Sequence, residues 1–142
     1  MAVVLRKGMK EMFEDNQNVF YYLTIENENY EQPAIPKDCE DGIIKGMYKF
    51  ESVETKGNKK TPRVQLLGAG AILNEVRAAA QMLKDDWGVA SDVWSVTSFN
   101  ELAREGLHVE RWNRLHPDDK PKQFFHGFCG CVLLLHELQH LS

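Results

Sequence analysis

Apolar side chains recur along this chain in two periods, and each change of period marks an element. From residue 2 to 14, Val4, Leu5, Met9, Met12 and Phe13 come at close to helical spacing, which predicts an amphipathic helix. Asn16 and Asn18 mark a turn, and residues 19–25 are then dense in β-branched and aromatic side chains. That stretch reads as a buried strand, with one ring of Tyr21-Tyr22 toward the core and the other toward a neighbouring layer. Pro33 and Pro36 forbid regular hydrogen bonding in the connection that follows. Residues 41–45 suit a short helical turn. Met47, Lys49, Glu51 and Val53 alternate with Tyr48, Phe50 and Ser52, which suits a linking strand.

Residues 55–62 combine Gly, Asn, Thr and Pro with Lys56, Lys59 and Lys60 and hold no apolar side chain, so they read as a linker. A β-α-β pattern comes next. Residues 64–67 predict a strand, Gly68-Ala69-Gly70 a tight turn, and 72–85 a helix. That helix places Ile72, Leu73, Val76, Ala79, Ala80 and Leu83 on one stripe, with Asn74, Glu75, Arg77, Gln81 and Lys84 outward. Gly88 lets the chain turn back into a second strand, 93–97. Two strands bracketing a helix within about 30 residues predict a parallel pair with a right-handed crossover. Ser98 with Glu101 makes a capping box for a short helix that Gly106 stops, and a further helix through Trp112 ends before Pro117.

Composition narrows the class. With 142 residues, 43% apolar and 27% charged, the chain has an ordinary globular make-up. Its formal charge is −4 without a basic cluster, so no electrostatic footprint for nucleic acid exists. Lys56, Lys59 and Lys60 read as solvated loop charge. Cys39, Cys129 and Cys131 are an odd number, and the opening residues turn into an acidic amphipathic helix rather than a secretory leader. Reduced thiols in a cytoplasmic setting are expected. The most apolar run, 124–135, is too short to span a membrane and is broken by His126 and two glycines.

Several residue groups invite chemistry. Gly68-Ala69-Gly70 sits where an α/β sheet binds phosphate on a helix N-terminus. The dinucleotide fingerprint needs a third glycine where Leu73 stands, and its acidic ribose partner is at best Asp92. A strand-to-helix turn also requires glycines simply for positive φ and close packing. His136-Glu137-Leu138-Gln139-His140 satisfies the zinc-hydrolase pattern, and His126, Cys129 and Cys131 lie just upstream. Against a zinc site, only Leu141 and Ser142 follow, Cys129 and Cys131 are one residue apart, and Glu137 is the tail's one formal charge from residue 123 onward. His116 before Pro117 suits a helix C-terminal cap, and His108 joins no motif. Glu26, Glu28 and Glu31 around Tyr30 read as a solvated acidic loop, and Ser95, Thr97 and Ser98 form no triad.

Three phrases carry more than class. They are Asn27-Glu28-Asn29-Tyr30, Gly42-Ile43-Ile44-Lys45-Gly46-Met47-Tyr48-Lys49, and Ser98 through Gly106 with Glu110-Arg111-Trp112 beyond. Together they make residues 1–121 resemble the homodimeric, thiamine-diphosphate-dependent first component of the pyruvate dehydrogenase complex. The resemblance implies an α/β fold: the end of a middle, pyrimidine-binding domain over 1–54, a linker over 55–62, and over 63–121 the opening β-α-β part of a C-terminal transketolase-like domain with parallel strands. It implies a homodimer that decarboxylates pyruvate with thiamine diphosphate and Mg²⁺ and acetylates the lipoyl arm of the dihydrolipoyl acetyltransferase component. It places the diphosphate motif, the activating glutamate and the active-site histidines upstream of Met1, so no catalytic, cofactor-binding or metal residue carries over. The chain is then a structural, dimer-forming fragment, inactive and cofactor-free alone. Residues 122–142 depart from the family pattern, as a frameshift, a truncated frame or a replaced end would make them. A sheet without its later strands and an uncharged apolar tail predict self-association. Two other readings use this chain's own residues: a small zinc hydrolase on His136, Glu137 and His140, and a nucleotide-binding regulatory module on the Gly68–Gly70 turn.

Overall fold

The computed structural model describes residues 1–25, 29, 33–55 and 63–119. They fall in two compact units, Met1–Ser98 and Phe99–Ser142.

The first unit begins with the expected helix. Helix α1, Ala2–Met9, continues as a π-helical turn over Lys10–Glu14, where the Asp15 N–H reaches the Lys10 carbonyl at 3.1 Å. Its apolar side is only partly covered: Val4 and Met12 are half-buried, while Leu5, Met9 and Phe13 are exposed. Gly8 is the buried residue of α1, because the Tyr21 ring lies on it; a Cβ there would sit 3.1 Å from that ring.

Residues 19–25 are not a strand. They carry no regular structure, enter no sheet, and leave Phe20, Tyr22 and Ile25 exposed. Tyr21 faces the helix and donates its hydroxyl to the Glu11 carboxylate, while Tyr22 is solvated rather than packed. A β-prone segment becomes a strand only when a neighbour takes its backbone groups, and no described strand does so. 

Helix α2, Glu40–Lys45, leads through Gly46 into strand β1, Met47–Val53. Strand β2, Arg63–Gly68, helix α3, Ile72–Trp87, and strand β3, Ala90–Val96, form the β-α-β unit. The sheet order is β1-β3-β2. β2 and β3 are parallel, with Arg63 opposite Ala90 and Gly68 opposite Ser95. β1 joins the same sheet antiparallel to β3, as an outer strand rather than a link between layers. Together these elements make a mixed α/β layer.

Helix α3 covers one face of the sheet. Leu73, Ala80 and Val93 are the buried centre, with Phe50, Val53, Leu66 and Val76 packed around them. Arg77 spans the edge of this core: its guanidinium carbon lies 5.3 Å from the Phe50 ring centroid, and its Nε lies 3.0 Å from Glu51. The predicted α3 stripe is too wide, since Ile72 and Ala79 point to solvent. One layer of three strands receives only a narrow stripe of a helix above it.

β3 is buried along its whole length, as a strand paired on both sides should be. Its end is tied to the α2–β1 junction: the Thr97 and Ser98 N–H groups donate to the Gly46 carbonyl at 2.8 and 3.0 Å, and the Thr97 hydroxyl donates to the Ile43 carbonyl at 2.7 Å.

In the second unit, helix α4 runs without a break over Phe99–Leu115. The expected stop at Gly106 does not occur. A glycine stop needs positive φ, and Gly106 does not adopt it. Inside a helix a glycine costs only about 1 kcal/mol relative to alanine, and the Arg104–Glu101 and Arg114–Glu110 pairs support the turns on either side.

Candidate functional site

An aspartate inside a buried strand must find partners, because an unpaired buried charge costs several kcal/mol. Asp92 lies in the middle of β3 and is 6% exposed. Its register partners are Ser52 on β1 and Gln65 on β2, so three strands meet at this carboxylate.

A bulge in β1 completes the site. The register slips between Lys49 and Glu51, so Lys49 pairs with Trp94 while Ser52 pairs with Asp92. Strict alternation would send Lys49 and Ser52 to opposite faces; the extra residue returns both to the face of Asp92. On β2 the alternation is regular, and Arg63 and Gln65 share that face.

The contacts are short and convergent. Asp92 Oδ1 accepts from Arg63 Nη1 at 2.7 Å, from Lys49 Nζ at 2.8 Å and from Ser52 Oγ at 2.8 Å. Oδ2 accepts from Gln65 Nε2 at 3.1 Å, and Gln65 Oε1 accepts from the Trp94 indole N–H at 2.6 Å. The second guanidinium nitrogen of Arg63 grips both oxygens of Glu54, at 2.5 and 2.6 Å. Two cations thus meet two carboxylates. Burial pushes the Asp92 carboxyl up, but hydrogen bonds from Lys49, Ser52 and Gln65 and the Lys49 charge outweigh it and bring it down to about 2. The Glu54 hydrogen bond and the Asp92 charge raise Arg63 further above its ordinary value.

Such a group does not do general-base work. A base near neutral pH needs a proton affinity near 7 and a free oxygen; Asp92 has neither. The cluster is a clamp that ties β1, β2 and β3 across one face of the sheet.

The other singled-out residues lie apart from it. The Gly68-Ala69-Gly70 turn shows both structural needs of such a turn: Gly70 has φ 55°, and a Cβ on Gly68 would lie 2.9 Å from Leu73 Cα. Asp92 sits opposite Gln65, not opposite Gly68, and its oxygens are already engaged, so the turn and the acidic residue do not form a nucleotide site together. His116 lies just past the α4 end, with Nδ1 2.9 Å from the Trp112 carbonyl and its ring stacked on Trp112 at 3.8 Å between centroids. That geometry is a helix C-terminal cap. His108 is an exposed residue of α4. Cys39 is a free, buried thiol whose Sγ lies 3.1 Å from the Pro36 carbonyl. Ser95 is buried in β3 and Thr97 is bonded to Ile43. Glu26, Glu28, Tyr30, Glu31, Lys56, Lys59, Lys60, His126, Cys129, Cys131, His136, Glu137 and His140 lie outside the described residues.

Lys49, Ser52, Arg63 and Gln65 escaped the sequence reading. A signal was present: a lone carboxylate in an apolar run, facing a strand whose alternate residues are Arg63 and Gln65.

Two family models match the chain. One, described as the transketolase-like TK C-terminal domain, covers residues 46–124; the other, described as the pyruvate dehydrogenase E1 component middle domain, covers residues 1–33. Residues 55–62 therefore fall inside the first match, between two strands of one sheet. Among curated relatives, the pyruvate dehydrogenase E1 component of Pseudomonas aeruginosa is 55% identical over 129 residues, which is 91% of this chain and 14% of that protein. The protein of the same name from Cupriavidus necator is 53% identical over 124 residues, 87% of this chain and 14% of its own length. That from Escherichia coli K12 is 52% identical over 123 residues, 86% of this chain and 13% of its own length. The chain spans about 14% of the length of the curated relatives it matches.

Proposed function

Because the chain belongs to the transketolase-like C-terminal domain family and matches the pyruvate dehydrogenase E1 middle domain ahead of it, we propose that it is a segment of a pyruvate dehydrogenase E1 component. The identity of 55% across 91% of the chain to a protein of that name carries the reading. In this reading the whole enzyme decarboxylates pyruvate with thiamine diphosphate and Mg²⁺ and passes the acetyl group to the lipoyl group of the dihydrolipoyl acetyltransferase component. It acts as a cytoplasmic homodimer. This segment contributes architecture: its first part, matching over residues 1–33, ends the middle domain, and its second, matching over 46–124, opens the C-terminal domain that helps build the dimer.

Among the described residues no three His, Cys, Asp or Glu side chains converge, and both oxygens of buried Asp92 accept hydrogen bonds from neighbouring side chains. No chemical step is assigned to this chain. What it supplies is a stiff layer: a buried central strand, a helix locked onto one face, and a charged clamp across the other. Among the described residues no helix is long and apolar enough to cross a membrane.

The test is pyruvate decarboxylation with thiamine diphosphate and Mg²⁺, measured on the chain alone and with the preceding part of the enzyme added as a separate polypeptide. No turnover alone and turnover in the mixture is the expected result. Turnover by the chain alone, or none in either setting, would overturn the assignment of an architectural part.

A further inference from the structure

We draw no further inference here: the strongest candidate, the exposed face of helix α4 that carries Arg104, His108, Arg111 and Arg114 around Leu107, is a charged helix side on which Arg104 and Arg114 already pair with Glu101 and Glu110, and nothing in the described residues shows what covers it.

Discussion

Replacing Asp92 by asparagine keeps the shape of the side chain and removes its charge, which makes it a direct probe of the three-strand clamp. In the folded chain this carboxyl titrates at about 2, below its ordinary value of 3.8, because the hydrogen bonds from Lys49, Ser52 and Gln65 and the Lys49 charge outweigh burial. At 1.36 kcal/mol per unit, that difference is worth about 2 kcal/mol of stability at neutral pH. The sign follows from the direction. A depressed folded-state pKa stabilises fully above the unfolded value near 3.8, and the contribution is lost as pH falls through about 2. Lys49 and Arg63 are both partly exposed, so in the variant water hydrates them and the cost stays near that figure rather than rising to that of a buried orphan charge. Urea unfolding followed by far-ultraviolet circular dichroism should show a midpoint about 1 M lower for Asp92→Asn at pH 7, given a slope of about 2 kcal/mol/M. The gap between parent and variant should shrink as pH approaches 2. Equal midpoints at pH 7, or a gap that does not change with pH, would refute the assignment of Asp92 as the charged centre of the clamp.

Other positions give separate outcomes. Leu73→Ala empties the centre of the contact between α3 and the sheet and should cost about 2–4 kcal/mol, read as a lowered thermal midpoint. Gly68→Ala sets a Cβ 2.9 Å from Leu73 Cα, a backbone atom that cannot rotate away, so a loss of about 1–3 kcal/mol is expected in the same assay. An unchanged midpoint would mean that α3 does not sit so close. Ser91 is fully buried and its hydroxyl has no hydrogen-bond partner among the described residues, so Ser91→Ala should raise stability by up to about 1 kcal/mol. A clear loss in that variant would show that the hydroxyl is satisfied in solution.

Local pattern by itself determined the helix over 2–14, the β2-α3-β3 unit, the glycine turn between β2 and α3, and the family. Each depends on neighbours in sequence: a helical stripe, a run of β-branched residues, a φ only glycine takes readily. What only the tertiary structure decided depends on distant partners. The antiparallel place of β1 beside β3, and the bulge that turns Lys49 toward Asp92, are register choices made between segments some 40 residues apart. The Asp92 clamp follows from those choices, since its five side chains come from three strands and share no motif. Gly106 carried a stop signal that the rest of α4 overrode, because one unfavourable residue costs less than ending a helix supported on both sides. Residues 19–25 are rich in β-prone side chains, and they form no strand because no described strand pairs with them. A propensity for β-structure is a statement about an available neighbour, and sequence records the propensity without the neighbour.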